Sequence, residues 1–256
     1  MKRLSVYLPW IVSALLIVTF QAGQVPVFAQ AAVDNQIFAD LLQKYVHQGR
    51  VDYDGFKREA DRLNAYLKIL ENIDPDALSR DERFAFYINV YNAWTIRLIL
   101  TRYPDLDSIK DLGSLFKSPW KKAIVHLDGK LLSLDNVEHD ILRPEFKDPR
   151  VHFAINCAAL SCPPLQSAPF EGSLLDAQLN RATRDFINNP KRTYLEGNTL
   201  HVSRIFDWFG EDFDNDPYRF VVQYADGDFK KRLLAVKNGI EIDFLPYDWS
   251  LNNQPQ

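Results

Sequence analysis

The segment VHFAINCAALSCPP, residues 151–164, holds both cysteines of the chain and one of its five histidines. Its first five residues are apolar enough to predict a buried strand, with His152 and Ala154 on one side and Val151, Phe153 and Ile155 on the other. Asn156 breaks that pattern, so Cys157 falls at the strand end. Ala158, Ala159 and Leu160 then suit a short helical turn, and Cys162, Pro163 and Pro164 force an extended exit. A cysteine between a strand end and a helical turn meets unpaired backbone N–H groups, which stabilise a thiolate. The segment therefore reads as a reactive thiol, with a disulfide to Cys162 or simple burial as the alternatives.

Upstream of it, Ser79 and Glu82 have the spacing of a capping box and open a helix predicted to run to about Arg102, with Pro104 beyond. Phe84, Tyr87, Ile88, Tyr91, Trp94, Ile96, Leu98 and Ile99 lie around most of its circumference, so this long helix should be buried and central. Asn89 and Asn92 share one edge of it. They either tie a neighbouring loop to the helix or orient a catalytic histidine and donate to an oxyanion. Asp128 and Gly129 mark a hairpin between 123–127 and 130–132, and Asp135 is a predicted N-cap for a short helix, 136–142, carrying Glu138 and His139. Nearer the N-terminus, apolar spacing predicts one helix from Asp34 to about Gly49 and another around 63–70 that stops before Asp74 and Pro75.

Downstream, Ser173 opens a helix that ends before Pro190, and Gly197 and Asn198 mark a second hairpin. Ser203 is placed to cap 205–209, helices are predicted at 218–224 and 229–236, and a last strand at 240–245 leads into YDWSLN, 247–252. Without regular β-α-β alternation, repeats or long linkers, these elements predict a helix-rich α+β domain over 34–252 with a small, largely antiparallel sheet.

Residues 1–29 have the pattern of a cleavable signal: Lys2 and Arg3, then an apolar run from Leu8 to Phe20, then small residues. The expectation is an exported protein, periplasmic or secreted, touching a membrane only through this segment if it stays uncleaved. A net charge of −4 and scattered basic residues argue against nucleic acid as a partner. The expected ligand is a small molecule or peptide. No cofactor is called for, and a zinc site on Cys157 and Cys162 lacks paired histidines. Asp212, Asp214 and Asp216 imitate a calcium loop, but Pro217 and Gln223 stand where its glycine and glutamate belong, so they read as a solvated loop or a cap. Phe206, Trp208, Phe209 and Phe213 read as core, with a ligand groove as the alternative.

FAFYINVYNA at 84–93, EHDILR at 138–143, DPRVHFAINCAALSCPPL at 148–165 and YDWSLN together resemble the domain-of-unknown-function family numbered 547. The resemblance spans almost the whole chain after the signal and implies a shared fold without a reaction. Some relatives resemble fusions to glutaredoxin-like or DEP-type modules, which implies thiol chemistry or signalling.

As an enzyme, the chain would use Cys157 as nucleophile in a thiol-dependent hydrolase or acyl transferase, with His139 preferred over His152 as base. Asn89, Asn92 or Asn156 would orient the histidine or stabilise an oxyanion. As a binding module, it would have Cys157 and Cys162 bridged, cycling as a redox pair, or buried.

Overall fold

The computed structural model describes residues 33–114, 117–236 and 239–254. The expected signal, 1–29, lies outside them. Among the described residues no helix is long and apolar enough to cross a membrane.

The chain opens with α1 (Gln36–Tyr45), whose Phe38, Leu41, Leu42 and Tyr45 face the core. It then turns back through a small hairpin, β1 (Val46–His47) and β2 (Arg50–Val51), where the reading from sequence had the helix run on to Gly49. Two helices follow, α2 (Tyr53–Arg58), started by the Asp52 side chain accepting from Gly55 N–H, and α3 (Ala60–Glu71). The Ser79 hydroxyl accepts from Glu82 N–H and starts α4 (Arg80–Leu100), the longest helix, buried on nearly every side. The predicted hairpin forms as β3 (Val125–Leu127) and β4 (Lys130–Leu132).

Ser133, rather than Asp135, caps the next helix, α5 (Leu134–Asn136), which continues as a widened π-helical segment, Val137–Phe146. Helix α6 (Leu175–Ile187) precedes the second hairpin, β5 (Tyr194–Glu196) and β6 (Thr199–Val202). After α7 (Ile205–Trp208), α8 (Pro217–Tyr224) and α9 (Gly227–Ala235), the last strand, β7 (Glu241–Phe244), adds parallel to β6. The α+β class read from sequence stands, with one parallel pair in its three-stranded sheet.

The predicted strand at 151–155 does not form. Pro149–Phe153 is a 3₁₀ turn, opened by Asp148, whose carboxylate accepts from Arg150 N–H. Proline at the first helical position and aspartate before it favour that start over a strand. This turn sits on a seam. Val151, Ala154 and Ile155 pack into the large core around α4, whereas Phe153 packs into a second core with Phe186, Phe206, Phe213 and Phe220. His152 and Cys157 are therefore delivered to the boundary between the two apolar clusters.

Candidate thiol site

The loop that carries Cys157 is held from three directions. From α4, Asn92 donates to Ala154 C=O at 3.0 Å and accepts from Asn156 N–H at 2.8 Å. Asn89 likewise closes on Phe170, donating to its carbonyl at 2.8 Å and accepting from its N–H at 2.9 Å. Asn156 donates to Pro163 C=O at 2.7 Å, and its side-chain oxygen accepts from Ala158 N–H at 2.9 Å and from the Asn252 amide at 3.2 Å. Thus Asn92 and Asn156 shape the cysteine loop, and Asn89 fixes the backbone at Phe170 beyond it. Sequence left open whether they would meet a histidine or an oxyanion, and here their amides are occupied.

The C-terminal segment lies along the other side. Leu160 N–H donates to Ser250 C=O at 2.9 Å, Asn252 N–H donates to Ala158 C=O at 3.0 Å, and Ser161 N–H donates to Asp248 C=O at 3.1 Å. Arg192 clamps the same loop through the carbonyls of Ser161 and Leu160 at 2.8 and 3.0 Å. These bonds hold Ala158 at φ 62°, left-handed backbone that a non-glycine residue adopts only when its surroundings enforce it.

Both thiols are free, so the bridge between Cys157 and Cys162, one of the alternatives left open by the sequence, is not formed in this structure. Cys162 is buried and its sulfur accepts from Cys157 N–H at 2.8 Å. Cys157 is half-buried, with its sulfur 3.4 Å from the Tyr247 hydroxyl. Hydrogen bonding from the Cys162 thiol pulls the Cys157 pKa below its ordinary value, against the opposing effect of burial, with Tyr247 and the Ala159 N–H adding to the pull. Burial drives Cys162 the opposite way, well up. Burial also raises Tyr247, so its hydroxyl keeps its proton and remains a donor. The sequence placed Cys157 beside free backbone N–H groups. The donors to its sulfur are mainly side chains rather than unpaired helix amides.

Cys157 opens into a cleft of about 210 Å³ between the two cores. His152, His139, Glu138 and Tyr91 line it together with Cys157 and Tyr247. The strand parity that set His152 and Cys157 on opposite faces does not apply, because no strand is there. His152 Nε2 lies 2.6 Å from Asp212 Oδ2, and Arg143 grips the same carboxylate at 2.6 and 3.1 Å. Burial opposes ionisation of Asp212, but the hydrogen bonds from His152 and Arg143 outweigh it and hold the carboxyl well below its usual range. As a carboxylate, Asp212 takes the Nε2–H of His152, which leaves the Nδ1 lone pair of the neutral ring available. Burial lowers the His152 pKa despite Asp212, so the ring is neutral near pH 7. Phe209 stacks on it, with ring centres 4.1 Å apart.

His139, the base preferred from sequence, is placed differently. Its Nδ1 accepts from Arg143 at 2.9 Å, and burial lowers its pKa. That nitrogen is thus occupied by a guanidinium, whereas the contact of His152 Nε2 with Asp212 leaves the His152 Nδ1 available. Glu138 is buried, which raises its carboxyl to about 7, with hydrogen bonding from Tyr91 pulling partly back. It is close enough for its charge to act on Cys157.

Sequence reasoning missed Asp212, which had read as a loop acid, together with Tyr91, Arg143 and Tyr247. The signal was present in grouped form. FAFYINVYNA supplies Asn89, Tyr91 and Asn92, EHDILR supplies Glu138, His139 and Arg143, and YDWSLN supplies Tyr247 and Asn252, all converging on the segment that carries His152 and Cys157. Of the aromatic cluster, Phe206 and Phe213 are core, whereas Trp208 and Phe209 line the cleft. Among the described residues no group of three or more His, Cys, Asp or Glu side chains is placed to hold a metal ion.

Residues 75–187 match the model of the family described as "Protein of unknown function, DUF547". The resemblance read from the sequence is thus shown over that stretch, which carries α4, Glu138, His152 and both cysteines. No curated protein and no solved structure matches the chain.

Proposed function

Taking residues 75–187 as a domain of the family of unknown function DUF547, we propose that the chain is a thiol-dependent acyl hydrolase or acyl transferase with Cys157 as nucleophile. The observation that carries this reading is a half-buried cysteine with a lowered pKa, lining the same cleft as a neutral histidine oriented by the Asp212 carboxylate. In the first step the Cys157 thiolate attacks an ester or amide carbonyl carbon, and the oxyanion takes a hydrogen bond from the Tyr247 hydroxyl. The C–O or C–N bond then breaks, and Glu138, protonated at a pKa of about 7, gives its proton to the leaving group. A water, or an acceptor nucleophile, attacks the resulting thioester and passes its proton to His152 Nδ1, while the C–S bond breaks and Cys157 leaves as thiolate. Solvent carries the proton from His152 back to Glu138. The signal pattern at 1–29 supports placing this activity outside the cytoplasm.

The test is intact-mass analysis after mixing with p-nitrophenyl acetate. The expected result is a burst of nitrophenol and a single acetyl adduct on Cys157, absent in Cys157→Ala. No adduct at any pH between about 6 and 9 counts against the reading.

A second reading is favoured by one observation, the contact between a lowered Cys157 and a buried, raised Cys162. In dithiol–disulfide exchange, Cys157 thiolate would attack a partner's disulfide, releasing one partner thiolate, and Cys162 would resolve the mixed disulfide to leave an internal bridge and a reduced partner. A two-electron midpoint measured against glutathione separates the two. A bridge that forms only under strongly oxidising buffer favours acyl chemistry.

A further inference from the structure

The wall of the cleft facing Cys157 is aromatic, built from parts of the chain far apart in sequence. Trp208 at the end of α7 lies tilted against Tyr247 at 4.8 Å and stacks on Trp249 at 5.5 Å between ring centres, and Trp120 meets Trp249 edge-on at 5.6 Å. All four rings line the cleft, and Trp208 is 44 % exposed, unusual for tryptophan in a chain with ample core to enter. The cleft carries two acidic side chains, Asp135 and Glu138, and among the described residues no lysine or arginine lines it. A cation is already drawn to this cluster, since the Lys110 ammonium lies 3.9 Å from the Trp249 ring centre. At about 210 Å³ the space equals roughly seven waters' share of liquid volume, so it admits a group the size of a side chain or headgroup. Aromatic faces with a neighbouring acid are the chemistry that selects an ammonium group, and a substrate ammonium would take the ring faces that Lys110 leaves open.

Building on the acyl-transfer reading, we propose that the substrate carries a cationic ammonium group, seated against Trp208, Trp249 and Tyr247 beside Asp135, with its acyl carbon at Cys157. The aromatic wall thus sets specificity and the thiol loop does the chemistry. Uncharged substrates of the same shape bind poorly.

The experiment is a tryptophan-fluorescence titration of the full chain with choline and with its neutral carbon isostere, 3,3-dimethylbutan-1-ol, at constant ionic strength. The expected result is saturable quenching by choline at a concentration at least tenfold below that needed for the isostere. Trp208→Leu, at a 44 % exposed position, should weaken choline at least tenfold with far-UV dichroism unchanged, and Asp135→Asn severalfold. Equal binding of the two probes, or no saturation by choline, overturns the proposal. Cys157→Ser should leave the titration unchanged, which keeps the two readings separate. Choline binding without an acetyl adduct removes the acyl chemistry on which the substrate assignment rests, and an adduct without choline selectivity removes the ammonium site alone.

Discussion

Replacing Glu138 by glutamine should stabilise the protein, and by an amount that depends on pH. Glu138 is only 8 % exposed, and burial lifts its carboxyl from 4.5 to about 7. A carboxyl whose pKa is raised on folding contributes stability that is complete below its unfolded pKa and is lost as pH rises through the folded one. At about pH 8 the unfolded chain gains more from ionising than the folded chain does, and a shift of this size corresponds to roughly 3 kcal/mol. At about pH 5 the difference shrinks to under roughly 1 kcal/mol. Glutamine has the same shape and cannot ionise. Urea denaturation should therefore show Glu138→Gln more stable than the parent at about pH 8, with the midpoint raised by about 1 M, and nearly equal to it at about pH 5. Activity should move oppositely, because the proton donor is gone. A midpoint difference that is the same at both pH values would refute the assignment of a buried, pH-coupled acid.

Other outcomes follow from the same contacts. Asp212→Asn removes the carboxylate shared by His152 and Arg143 and should cost about 2 kcal/mol in denaturant unfolding, since a buried ring nitrogen and a guanidinium lose their charged partner. Because burial lowers His152, its contribution to stability is present above about pH 6.5 and is lost as pH falls towards the folded pKa; a His152→Gln variant should show a correspondingly flatter acid limb. Asn92→Ala leaves Ala154 C=O and Asn156 N–H without their partner and should cost about 2–3 kcal/mol, with faster hydrogen exchange confined to the cysteine loop. Tyr247→Phe deletes a donor to the Cys157 sulfur and should raise the pH at which that thiol is alkylated, with far-UV dichroism unchanged.

Local signals were legible where they were self-contained. The capping serine and apolar circumference of α4, both hairpin turns and the breaks at prolines all read directly from neighbouring residues. The 151–155 run misled because a short apolar stretch fits strand and buried turn alike, and Asp148 with Pro149, which decides for the turn, lies just outside the apolar window. Cys157 and His152 were visible by residue type. Asp212 was not, since its pairing with His152 spans sixty positions and nothing local distinguishes it from Asp214 or Asp216. Glu138 adjoins His139, the more conspicuous residue, and only tertiary burial gives it an unusual proton affinity. Asn89 and Asn92 read as buried amides needing partners, and those partners are backbone, at Phe170 for Asn89 and in the cysteine loop for Asn92.

The central claim is that the loop shaped by Asn92 and Asn156 holds Cys157 as an activated thiolate beside an inert Cys162. Its most direct test is the rate of iodoacetamide labelling of each cysteine against pH, read by peptide mass spectrometry without reductant. The account predicts a Cys157 profile with an apparent pKa clearly below the ordinary ~8.5 and no labelling of folded Cys162. Labelling of Cys157 only above that value, or of Cys162 before it, would contradict the account.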